Sequence, residues 1–125
     1  MRNTILYIED NPDNRMLVRR VLEAEGYRVV EAEDGLEGIK LLRSLTPDLV
    51  LMDINLPEID GYEVTKRLKQ APSMTRVPVI AMTANVMKGD REKTMAAGCD
   101  GYIPKPIDID ILPDQIARFL RKRNG

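Results

Sequence analysis

An α/β domain built on one doubly wound, five-stranded parallel sheet, in strand order 2-1-3-4-5 with five flanking helices, is the fold that the sequence predicts. Short runs rich in Val, Ile, Leu and Tyr alternate with stretches of helical apolar spacing. Such alternation needs right-handed crossovers, hence parallel strands with helices on both faces. Several of the runs are apolar throughout, as strands covered on both sides must be. With 125 residues, 43% hydrophobic and 31% charged, the chain holds material for one core and not for two.

The first strand is read at Thr4–Ile8. Asn11-Pro12 then supplies an N-cap followed by a proline at the first helical position, and Leu17, Val18, Val21 and Leu22 form the apolar stripe of the helix it opens. Gly26 stands where that helix should end. The second strand covers Arg28–Glu31, and Leu36, Ile39 and Leu42 mark the next helix. The third strand covers Asp48–Met52, with Val64 and Leu68 on the helix after it. The fourth covers Val77–Met82. Val86–Ala97, the next helix, has the poorest stripe, because polar residues interrupt it, and Gly98 is its expected C-cap. A fifth strand at Asp100–Ile103 leads to the last helix, with Leu112, Ile116, Phe119 and Leu120 inward. Five such units are too few to close a barrel.

Composition removes several classes of function. Nineteen Lys plus Arg against twenty Asp plus Glu give a formal charge of −1, without the basic excess of a nucleic-acid binder. One cysteine, Cys99, precludes an intrachain disulfide, and the absence of histidine removes the imidazole ligand and base. Cys99 and the seven methionines are expected as core or partly buried filling. The basic residues Arg118, Arg121, Lys122 and Arg123 suit a solvated helix end. No signal peptide or bilayer-length apolar run is present, so no membrane contact and a cytoplasmic location are the expectation.

In an open sheet of this order, ligands gather at the carboxyl ends of the strands around the switch point between the first and third. That edge carries Glu9, Asp10 and Asn11 after strand one, Asp53 at the end of strand three, Thr83 at the end of strand four, and Lys105 at the end of strand five. Singly, each has an ordinary explanation as cap, turn former or solvated side chain. Together they change the odds. Carboxylates this close repel unless a cation shares their site, and an all-oxygen donor set selects a hard ion such as Mg²⁺, for which Mn²⁺ can substitute. A lysine and a hydroxyl opposite complete the equipment for phosphoryl transfer to a carboxylate.

The pattern Glu9-Asp10, Asp53, Thr83-Ala84, Tyr102 and Lys105-Pro106, with Leu56-Pro57 and Asp60-Gly61 after the central aspartate, resembles a two-component response-regulator receiver domain across essentially the whole chain. The resemblance implies the flavodoxin-like topology and a phosphorelay role. Asp53 would accept a phosphoryl group from a histidine kinase or histidine phosphotransfer protein. Asp10, Asp53 and the backbone carbonyl of Asn55 would bind Mg²⁺, with Glu9, where an aspartate is more usual, acting through water in the outer shell. Thr83 and Lys105 would hold the phosphoryl group, and Lys105-Pro106 would be a cis peptide. Thr83 and Tyr102 would form the switch, carrying the signal to a downstream protein on the face made by the Val86–Ala97 helix, the fifth strand and the last helix. Asn55 and Asn85 would set the lifetime of the aspartyl phosphate.

Other readings of the edge are an enzyme that hydrolyses phosphate esters through a metal and an aspartyl phosphate, and a flavin-binding electron carrier. The first typically has its nucleophile after the first strand, with a cap domain besides. The second needs a glycine- and hydroxyl-rich phosphate loop where this chain has Glu9-Asp10-Asn11-Pro12-Asp13. No Walker A spacing occurs. Only Arg121–Gly125 follow the last helical stretch, so a receiver over residues 1–125 without an output domain is expected, either a stand-alone regulator, which Met1 just before the first strand favours, or a receiver cut from a hybrid kinase or larger regulator.

Overall fold

The computed structural model describes residues 2–54, 56, 61–84, 92–93 and 95–123, with residues 122 and 123 described by their backbone. Five strands, β1 (Thr4–Ile8), β2 (Arg28–Ala32), β3 (Leu49–Asp53), β4 (Val79–Thr83) and β5 (Gly101–Pro104), pair in parallel in the order β2-β1-β3-β4-β5. Four helices are described: α1 (Pro12–Ala24), α2 (Gly35–Leu41), α3 (Gly61–Lys69) and α4 (Leu112–Arg123). Helical conformation recurs at residues 92–93 and 95–96, inside the helix expected at Val86–Ala97; the remainder of that expectation lies largely outside the described residues.

The sheet separates two apolar layers, and the pleat decides which residue joins which. Along β3, Leu49 and Leu51 enter one layer while Val50 and Met52 enter the other, which is why the run is apolar throughout. Val18, Leu22, Ile116 and Leu120 cover the first face, and Val64 and Leu68 the second. Of the stripe expected on α1, Val18 and Leu22 are buried, but Leu17 is 45% exposed. Val18 and Leu22, four residues apart, define the inward direction, and Leu17 is turned about 100° from Val18. Met52, Met74 and Met82 are core residues, whereas Met16 and Met95 are exposed, contrary to the filling role expected of the methionines as a group. Cys99 is buried, its sulfur 3.4 Å from the Thr65 hydroxyl. Among the described residues no helix is long and apolar enough to cross a membrane.

Caps and turns follow local chemistry. Asn11 Oδ1 accepts from the amides of Asp13 and Asn14, and the proline at the next position loses no helical hydrogen bond. At the other end of α1, Gly26 N–H donates to Glu23 O and Tyr27 N–H to Leu22 O, with Gly26 at φ +93°, a Schellman closure. β4 begins two residues later than expected, because Val77 N–H donates to Met74 O and closes a 3-10 turn at Pro72–Met74 that the spacing did not disclose. At the amino edge of the sheet, two aspartates work alike. Asp48 N–H donates to Thr4 O while its Oδ2 accepts Thr4 N–H at 2.6 Å, and Asp100 pairs in the same two ways with Val79. Lys69 Nζ, 2.9 Å from Asp100 Oδ2, ties α3 to that corner.

Two glycines are required for different reasons. Gly26 needs its positive φ and has open space around it, whereas a Cβ on Gly61 would lie 2.8 Å from Ile54 Cα and 3.2 Å from Asp53 O. Gly26→Ala is expected to cost about 1 kcal/mol, the strain of a left-handed residue. Gly61→Ala is expected to cost about 2 kcal/mol through backbone displacement. Urea unfolding of the two variants checks the order.

Candidate functional site

Backbone bonds just past the strands assemble the carboxyl edge. Glu9 N–H donates to Ala32 O of β2, Ile54 N–H to Met82 O of β4, and Lys105 N–H to Thr83 O of β4. The last of these carries the ladder beyond Pro104, which has no donor and sits on an edge strand where none is needed. The Lys105–Pro106 peptide is cis.

Held in this way, Glu9, Asp10 and Asp53 each offer one carboxylate oxygen to a cluster whose members lie within 4.8 Å of one another. Glu9 and Asp53 are buried, and Asp10 is exposed. Lys105 Nζ approaches Asp53 Oδ2 at 2.9 Å. Thr83 is buried at the end of β4, beside Pro104 in register. Tyr102 is opposite Ala81 on β5, half-buried against the layer that holds Ala81 and Cys99. Strand alternation puts Thr83, two residues beyond Ala81, on that same side of the sheet. The structure thus brings Glu9, Asp10, Asp53 and Lys105 together and sets Thr83 and Tyr102 on one adjoining face. Asn55 and Asn85 lie outside the described residues.

Glu9 is the unusual member. Its carboxyl is pushed up to about 7, by burial first and then by Asp53 beside it, against the opposing influence of Asn14 and Lys105. Asn14 Nδ2 donates to Oε1 at 3.0 Å, but Oε2 is buried without a hydrogen-bond partner among the described residues. A buried carboxylate oxygen lacking a donor is costly, and a cation or its coordinated water would satisfy it. The donor set, oxygen only, fits a hard divalent ion, so the cluster can hold one. Tyr7, on the strand leading in, is fully buried, and its hydroxyl is raised far above the ordinary range by burial and by Glu9 and Asp53. Asn14 and Arg15, which no motif or spacing singles out, contact Glu9 from the first turn of α1. Their signal is positional: the first turn of a helix that starts at the switch point faces the strand end it leaves.

The profile of a family described as the response regulator receiver domain matches residues 5–117. The polar-differentiation response regulator DivK of Brucella anthropi is 44% identical over 120 residues, covering 96% of this chain and 98% of that one. Among solved structures, the receiver domain of a sensor histidine kinase from Pseudomonas aeruginosa, with a magnesium ion coordinated in its active-site cleft, is 36% identical with a TM-score of 0.88, covering 97% of this chain and 99% of that one. The chemotaxis response regulator CheY4 of Vibrio cholerae superimposes with a TM-score of 0.91 at 24% identity, over 95% of this chain and 99% of that one, a likeness of fold.

The raised Glu9 carboxyl makes stability depend on pH when divalent ions are chelated. Between its ordinary value of 4.5 and about 7, the folded chain keeps a proton that the unfolded chain has released. Stability is therefore highest below that window and falls as pH rises through it. Urea unfolding in EDTA at pH 5 and pH 8 should show lower stability at pH 8, and Glu9→Gln should flatten the difference.

Proposed function

The chain belongs to the response regulator receiver family of two-component signalling, and on that premise we propose that Asp53 is its phosphoacceptor. The observation that carries this reading is the 2.9 Å pairing of Lys105 Nζ with Asp53 Oδ2 beside two further carboxylates. An oxygen of Asp53 forms the O–P bond as the N–P bond of a phosphohistidine breaks, the donor being a histidine kinase or histidine phosphotransfer protein. Lys105 and the Thr83 hydroxyl receive the phosphoryl oxygens. Asp10, Asp53 and the Asn55 carbonyl would hold Mg²⁺ or Mn²⁺, with Glu9 in the outer shell. The bound ion supplies neutralisation of charge on the transferring group.

Beside Lys105, a groove of about 340 Å³ lined by Asn14, Leu17, Val18, Pro106 and Ile107 offers an apolar approach for the donor. Its exposed rim residue Leu17 explains why the α1 stripe is wider in sequence than in the core. Output is by protein contact: phosphate on Asp53 draws Thr83, Tyr102 responds on the same side of the sheet, and the face of residues 86–97, β5 and α4 changes its population of states. In this reading the chain is one receiver unit acting in the cytoplasm and turns over no substrate beyond its own phosphoryl group.

Incubation with phosphoramidate should add one phosphoryl group in the presence of Mg²⁺ or Mn²⁺ and none in EDTA, read by intact-protein mass spectrometry. Asp53→Asn should abolish uptake; full uptake by that variant sinks the assignment. In amide NMR, beryllofluoride should shift Tyr102 as well as the carboxyl edge, and Thr83→Ala should confine the shifts to that edge.

A further inference from the structure

Glu9 is gripped from two sides by consecutive residues of α1. Asn14 Nδ2 donates to its Oε1 at 3.0 Å, and Arg15 Nη1 donates to its backbone carbonyl at 2.6 Å. The turn carrying both is itself locked, since Asn11 Oδ1 accepts the amides of Asp13 and Asn14 at 2.9 and 3.0 Å. Arg15 is steadied from behind by Glu31 and Glu33, at 3.9 and 3.8 Å. The result is a carboxylate 1% exposed, with one oxygen engaged and the other, Oε2, buried without a partner among the described residues.

We propose that Asn14 is a positioning residue for the divalent cation: by occupying Oε1 it fixes the rotation of the Glu9 carboxylate and presents Oε2 to the ion or its water. This rests on the reading of Glu9, Asp10 and Asp53 as a cation site and adds a residue outside that ligand set. An amide suits the task. Its N–H₂ can donate to a carboxylate without bringing a positive charge that would compete with the cation, as lysine would, or a second acceptor charge, as aspartate would. Glutamate has one more rotatable bond than aspartate, so an outer-shell glutamate needs such a restraint more.

The test is Mg²⁺ titration of the full chain by calorimetry at pH 8, in the wild type, Asn14→Ala, Glu9→Gln and the double variant. Asn14→Ala should weaken Mg²⁺ binding by roughly tenfold, as loss of an outer-shell partner does. In the Glu9→Gln background the same change should alter affinity by less than about twofold, because the residue acts through Glu9. Asn14→Leu, which keeps bulk without a donor, should behave as Asn14→Ala. Wild-type affinity in either single Asn14 variant, or an equal loss in both backgrounds, overturns the proposal and leaves the cation site standing. A wild-type chain that binds no Mg²⁺ overturns the cation reading itself, before any variant is compared.

Discussion

Three backbone hydrogen bonds hold the functional edge in place: Glu9 to β2, Ile54 to β4 and Lys105 to β4. All the strands run the same way, so their carboxyl ends fall on one line, and residues far apart in sequence meet without help from the connecting loops. The constraint is strict. A slip of one residue in any strand would turn its last side chain to the other face and carry its apolar set with it. Burial of both layers of β3 and β4 therefore enforces the position of Asp53 and Thr83, which lie at the ends of those strands. Core and site are one specification.

Against that geometric order stands an electrostatic cost. Three carboxyl groups share a small volume, and two of them are buried. Lys105 compensates at Asp53, and Asn14 partly compensates at Glu9. What remains is an Oε2 without a partner among the described residues and a carboxyl pushed up to about 7 by burial and by Asp53. Such local conflict amid otherwise consistent packing is a usual mark of a site shaped for a ligand.

Much of this was legible in the sequence for a physical reason: apolar runs without alternation mean strands covered on both sides, and the edge residues then follow from counting to the end of each strand. Thr83 and Lys105 are singled out in that way, by position. What stayed hidden depends on direction and on side-chain geometry. The exposed Leu17 differs from the buried Val18 only by a rotation of about 100° around the helix, and the Pro72–Met74 turn carries no periodicity of its own. Asn14 and Arg15 look like ordinary helix-surface residues until the first turn of α1 is seen against Glu9.

The amino edge of the sheet is built on the opposite plan. Asp48 and Asp100 each close a two-way bond with the first residue of a neighbouring strand, and Lys69 braces the second of them. Here each of the two carboxylates accepts from a strand amide, and at the far edge one carboxylate oxygen, Glu9 Oε2, is buried without a partner among the described residues. The sheet is thus clasped by side chains onto its strand amides at one end, while at the other backbone bonds extend the ladder. Thermal breathing should begin at the carboxyl end, where amide protons trade with solvent first, while the clasp keeps the strands in register for reclosure. The lock of the fold and the chemistry proposed for this chain thus sit at opposite ends of the same strands.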